Sequence, residues 1–168
     1  MSTTTTQYNS YAQAALAAYA TGLIAGVENA ARYRDPDVGM AVNQAAAFNA
    51  TWNVLQQSPL NGNGFSAVLL QNRTTGEKVL AIAGTNGWAD WITDLVNIAL
   101  YGTVLGMPQY LSLESFYTQL VSSGKLGATE QITVTGHSLG GFLAPSLHGS
   151  PLQRGVRCLH LQRAGLRQ

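Results

Sequence analysis

Charge is scarce in this sequence. Only 10% of the residues are Asp, Glu, Lys or Arg, against roughly 25% in an ordinary soluble domain. The net charge is +1, and a surface so poor in cations cannot neutralise a run of phosphates, which argues against nucleic acid as the natural partner. Cysteine is almost absent: Cys158 stands alone, so an internal disulfide and a cysteine-based metal cluster are both excluded. Asp35 and Asp37 resemble the start of a calcium loop, but the further acidic position and the distal Glu are missing, so they read as a capping turn. No metal and no cofactor are expected. Long apolar runs are missing too. The best, Ala12–Val27, is about 16 residues and mostly Ala, short of the ~20 needed to span a bilayer. No Lys or Arg precedes it, the first being Arg32, so it does not read as a signal peptide. It reads as a packed N-terminal helix. Localisation is left unassigned, since export by a C-terminal signal would leave no N-terminal trace.

What is present fits one domain with a moderate core: 168 residues, 46% of them hydrophobic, with 18 glycines. Residues 1–8 are Thr-rich and read as loose, and Asn9 or Ser10 would cap a helix running to about Val27. Ala41–Gln57 reads as a second helix, ended by Ser58-Pro59 and a glycine-rich turn. The texture then changes to two apolar runs rich in Val, Ile and Leu, 65–71 and 78–84, separated by a turn sequence, which is a hairpin signal. Helical spacing returns at 88–100 and 112–124, and 131–135 is a short β-branched strand. Helices, a hairpin, then strand–turn–helix make an α/β layout.

That last strand runs straight into Gly136-His137-Ser138-Leu139-Gly140, followed by Gly141. The pattern is G-x-S-x-G, which alone would arise in about one chain in eight of this composition. Its setting makes it specific. A strand, a sharp glycine-flanked turn and a helix-like run hold a serine in a strained conformation with its Oγ exposed at the end of a sheet. The helix N-terminus adds favourable electrostatics for an oxyanion. His137 adjoins the serine in sequence, which makes it a packing or supporting residue rather than the base.

A second stretch reinforces the first. The run at 81–95 ends a strand with Gly84-Thr85 and continues through Trp88, Trp91 and Ile92 to Asp94. Acyl transfer needs two donors aimed at the developing oxyanion. One is the N–H of the residue after the nucleophile, Leu139, and the other usually comes from the loop after an earlier strand. Together, residues 65–144 resemble the class 3 (fungal-type) lipase family of α/β hydrolases. The resemblance implies that Thr85 supplies the second oxyanion donor and that Asp94 holds the Thr85 side chain. It also implies that Trp88, Trp91 and Ile92 belong to a lid over the site. The implied fold is the N-terminal part of an α/β hydrolase, a mixed or parallel sheet flanked by helices. The implied partner is a lipid or small ester, with contact at a lipid–water interface.

One absence cuts against this pattern. The family places an Asp and then a His well downstream of the nucleophile, yet no Asp or Glu follows Glu130, and only His148 and His160 lie beyond the motif. Residues 145–168 hold four of the nine basic residues and the single cysteine. The chain therefore divides into a partial hydrolase domain, 1–144, and an atypical basic tail, 145–168. With permitted codon choices, reading the tail one base later gives a helix-like and then a strand-like string, so a frameshift near residue 144 is expected. Two functions follow: an ester hydrolase acting on acylglycerol-type substrates when its triad is complete, and a non-catalytic fragment or lipid-interface-binding remnant. A different acyl-transfer or thioester chemistry on the same elbow is disfavoured by the 81–95 stretch.

Overall fold

The computed structural model describes residues 4–60, 62, 64–84 and 108–136, and the backbone of 156–160. Helix α1, Thr5–Ala17, starts five or six residues earlier than the sequence suggests because Thr4, rather than Asn9 or Ser10, caps it. The Gln7 N–H donates to Thr4 Oγ1 at 3.3 Å, and the Thr4 N–H donates to Gln7 Oε1 at 2.9 Å. Each thereby satisfies an amide that the first helical turn would leave unpaired. The helix also ends at Ala17 rather than near Val27, and the chain turns away at Ala18. A short α2, Ala30–Tyr33, and α3, Val42–Thr51, follow.

Residues 52–57 correct the expected helix to Gln57. They form strand β1, Trp52–Gln57, in which Trp52 and Val54 are buried alternately. Strand β1 pairs antiparallel with β2, Ala67–Asn72, through a register irregularity between Val54 and Gln56. The hairpin from β2 to β3, Lys78–Ile82, is as expected. Its turn is an Asx type, with Asn72 Oδ1 accepting the Thr74 and Thr75 N–H groups at 2.9 and 3.0 Å. Gly76 closes it at φ +74°, a conformation that a side chain would strain. Helix α4, Pro108–Ser122, precedes β4, Ile132–Gly136, which pairs parallel with β3. Strand β5, Val156–His160, adds in parallel to β4. The sheet order is β1-β2-β3-β4-β5: an antiparallel hairpin side merging into a parallel side, flanked by helices. A strand inside the basic tail is a feature that the sequence reading did not give.

Both faces of the sheet are covered, which is why β2 reads as an unbroken apolar run instead of an alternating one. On one face Val68, Leu70, Val79 and Ala81 pack with Tyr11, Ala14 and Ala17 of α1 and with Phe48 of α3. On the other, Leu69, Leu80, Ile82, Ile132 and Val134 pack with Leu113, Phe116 and Leu120 of α4. Leu80 is fully buried between strand and helix. Leu80→Ala should cost ~2–5 kcal/mol, measured as a lower urea midpoint at unchanged m-value.

At the N-terminal ends of β3 and β4, Lys78 Nζ meets Glu130 Oε2 at 2.9 Å and also donates to the Lys125 carbonyl. Burial raises the Glu130 pKa, but the Gly127 N–H and Lys78 outweigh it and hold the carboxyl below its usual range. A depressed folded pKa contributes stability above the unfolded value of about 4.3 that is lost as pH falls through the folded value. Melting temperature should therefore fall on acidification through that window. Glu130→Gln should flatten that part of the profile.

Candidate active site

Parallel pairing makes the carboxyl ends of β3 and β4 neighbours. The Cα register runs Val79↔Thr133, Leu80↔Val134, Ala81↔Thr135 and Ile82↔Gly136. Ala83 and Gly84 continue β3 by two residues, and the Ala83 N–H donates to the Ser66 carbonyl at 2.9 Å. Gly136 is buried and ends β4. Strand β5 ends at the same level, with the His160 backbone opposite Gly136. Carboxyl ends of parallel strands are where α/β sheets bind ligands.

Of the residues of the two motifs, Gly84 and Gly136 lie within the described part of the chain. Ser138, Leu139, His137, Gly140 and Gly141, and Thr85, Trp88, Trp91, Ile92 and Asp94, lie outside the described residues. In sequence, Thr85 directly follows Gly84 and Ser138 is the second residue after Gly136.

The floor of this end is tied down by residues that carry no motif. The Gly84 N–H donates to Tyr19 Oη at 3.0 Å. The Ser66 hydroxyl donates to the Ala18 carbonyl at 2.7 Å. Gln57 grips the same loop twice: Nε2 donates to the Ala20 carbonyl, and Oε1 accepts the Leu23 N–H at 2.8 Å. The segment after α1 is thus fixed against the ends of β1, β2 and β3. Burial raises the Tyr19 pKa, and the Gly84 N–H opposes this only in part, so the phenol is protonated at neutral pH. Sequence reading missed these contacts because it carried the helix on to Val27; the one available signal was a tyrosine in an otherwise Ala-rich run.

Farther away, at the amino ends of the strands, Tyr11 Oη and Thr133 Oγ1 both donate to Glu77 Oε1, at 2.6 and 3.1 Å. Thr135 Oγ1 donates to the Tyr11 carbonyl at 3.3 Å, which pins α1 across the parallel pair. Among the described residues, no group of three or more His, Cys, Asp or Glu is placed to hold a metal. No described helix is long and apolar enough to cross a membrane.

Comparison with known proteins agrees with this architecture. No family profile matches the chain. Over 86 residues it is 35% identical to an extracellular phospholipase A1 of Serratia liquefaciens, a stretch covering 49% of this chain and 23% of that protein. Among solved structures, the nonglycosylated LIP2 lipase of Yarrowia lipolytica matches with a TM-score of 0.56 at 21% identity, covering 91% of this chain and 56% of its own. A mutant form of MDLA from Penicillium cyclopium matches with a TM-score of 0.53 at 14% identity, covering 95% and 63%. The chain thus spans little more than half the length of the solved structures it matches. It has the fold of the N-terminal part of an α/β hydrolase, a mixed sheet flanked by helices as in these lipase structures, and about half of it is similar in sequence to a phospholipase A1.

Proposed function

We propose that this chain carries the nucleophile half of a serine ester hydrolase acting on acylglycerol-type esters. Ser138 is the nucleophile, the Leu139 and Thr85 N–H groups are the oxyanion donors, and Asp94 orients the Thr85 side chain. The observation that carries the reading is the parallel register Ile82↔Gly136. It starts the segments that lead into Thr85 and Ser138 side by side at one end of the sheet, as two donors converging on one oxygen require. Ser138 Oγ would attack the ester carbonyl, and the negative charge formed on the carbonyl oxygen would be held by the two amides. A general base supplied by the downstream portion would take the Ser138 proton during the attack and pass it to the alcohol oxygen as the bond to the alcohol breaks, and water would then release the acyl group from Ser138. The described residues beside the end of β3, Tyr19, Thr21, Leu60, Phe65 and Ser66 among them, are uncharged, which supports neutral ester groups over anionic ones there. The phospholipase A1 relationship supports a glycerolipid as the substrate class. Trp88, Trp91 and Ile92 act as the lid and as contact with a lipid–water interface, where aromatic side chains are favoured.

In this reading, residues 145–168 replace a downstream portion that would bring the acid and base. A serine lacking them keeps the oxyanion hole and binding alone. The test is labelling with a fluorophosphonate, followed by mass spectrometry of the Ser138 peptide. Slow or no labelling is expected for the 168-residue chain, and rapid labelling at Ser138 for a version translated in the restored downstream frame. Rapid labelling of that version at a different serine would overturn the assignment.

A further inference from the structure

Strand β1 is the outermost strand on the hairpin side of the described sheet, and its sequence, WNVLQQ, carries no charge. Neither does any other residue from Val38 to Asn72. Such an edge is a template for a second copy of itself, because no like charges meet when two of them pair. In place of charge, the chain lays residues 20–29 along it. Gln57 Oε1 accepts the Leu23 N–H at 2.8 Å, the Gly26 N–H donates to the Val54 carbonyl at 3.2 Å, and Asn49 Oδ1 accepts the Asn29 N–H at 2.8 Å. The contacts advance in opposite directions, 23, 26 and 29 against 57, 54 and 49, so the segment runs antiparallel to β1. It is not a sixth strand. Among the described residues the Gly26 bond is its one backbone hydrogen bond to β1, whereas a paired strand would engage every second residue. The buried Asn29 side chain holds the segment in shape. Its Oδ1 accepts the Ile24 N–H at 2.9 Å, and its Nδ2 donates to the Ile24 and Val27 carbonyls at 2.9 and 3.0 Å. A bulge at Leu55, whose carbonyl accepts from Lys125 Nζ at 2.8 Å, breaks the regularity of the same edge.

We propose that residues 20–29 are a strap that closes the β1 edge, and that this edge is the surface on which two copies of the chain pair, β1 against β1, once the strap is released. The proposal stands apart from the ester-hydrolase reading. Every residue it uses lies outside the segments assigned to the nucleophile, the oxyanion donors and the lid. Pairing about a two-fold axis is antiparallel, so each β1 meets the same uncharged strand of the other copy. The strap is held by few and local bonds. Ile24 and Val27 on it are exposed, so apolar burial at these positions contributes little to keeping it down. Pairing would in turn give partners to the outward backbone groups of β1 that the strap leaves to water.

Asn29→Ala removes the three side-chain bonds that shape the strap and no helix cap, since Asn29 makes no side-chain capping bond to α2. Hydrogen exchange read by mass spectrometry on the full 168-residue chain, across a dilution series, tests both parts of the proposal. In Asn29→Ala the amides of 22–28 should exchange at least ~10-fold faster than in the parent chain, as expected when hydrogen bonds that close a local opening are lost. The amides of 52–57 should become more protected as concentration rises, with light scattering showing a species of twice the 17.8 kDa monomer mass. Asn53→Lys adds a charge to the half-buried rim of β1. Combined with Asn29→Ala, it should keep the fast strap exchange and lose the concentration-dependent protection. Gly26→Ala gives a second route should Asn29→Ala not fold. Its φ of +74° strains an alanine, and nothing lies within 4 Å of the added methyl, so the same two signatures are expected. Unchanged strap exchange in both variants, a released strap with no concentration-dependent protection of 52–57, or protection that survives Asn53→Lys would each overturn the proposal.

Discussion

Translating the downstream frame in place of residues 145–168 should raise hydrolysis of activated short-chain esters by several orders of magnitude, and Ser138→Ala should then abolish the gain. The 168-residue chain itself should hydrolyse them barely above background, and Ser138→Ala should change that rate little. The reason is chemical. A serine hydroxyl is a weak nucleophile until a neighbouring base accepts its proton, and that base needs an acid to hold its tautomer. No Asp or Glu follows Glu130. Among the described residues, the His160 backbone falls at the carboxyl ends of the strands, opposite Gly136, but this sequence holds no carboxylate side chain after Glu130 to orient it. His160→Ala in the 168-residue chain should therefore leave the residual rate unchanged. Initial rates with a p-nitrophenyl ester, corrected for the buffer reaction, would measure all five rates.

Thr85→Val in the frame-restored chain keeps the donating N–H but loses the hydroxyl through which Asp94 holds it, so kcat should fall by roughly 10-fold, less than the ~10²–10³-fold of a lost oxyanion donor, with little change in KM. The Val substitution keeps the shape of the side chain and removes its hydroxyl, whose position is assigned to Asp94. Thr85→Ser retains the hydroxyl and should keep most of the activity. If both variants fall equally, side-chain packing matters at this position and the hydroxyl does not. A rise in KM with kcat unchanged would place Thr85 in ground-state binding.

The elements legible in the sequence are those whose pattern and tertiary role agree. The β2–β3 hairpin announced itself because both strands are buried on both faces and its turn carries Asn72 and Gly76. Strand β4 was legible as a short β-branched run leading into the G-x-S-x-G motif. Strand β1 was missed because Trp52–Gln57 directly continues a real helix with no breaker between them, and pairing with β2 overrides the local preference. The early end of α1 was missed for a related reason. Alanines continue to favour helix through Ala20, but Gln57, Ser66 and Gly84 claim Ala18–Leu23 for the sheet end. These are contacts across 34 to 65 residues of sequence, and no local pattern encodes them. The G-x-S-x-G motif was legible as chemistry but lies outside the described residues; the described part gives the register Ile82↔Gly136 of the strands that lead towards it.

That register leads to one distance. In a crystal structure of the frame-restored chain with a phosphonate bound to Ser138, the Thr85 and Leu139 amide nitrogens should both lie within ~3 Å of the same phosphonyl oxygen. A structure in which Ser138 carries the phosphonate while Thr85 stands well beyond hydrogen-bond reach of that oxygen would contradict the account.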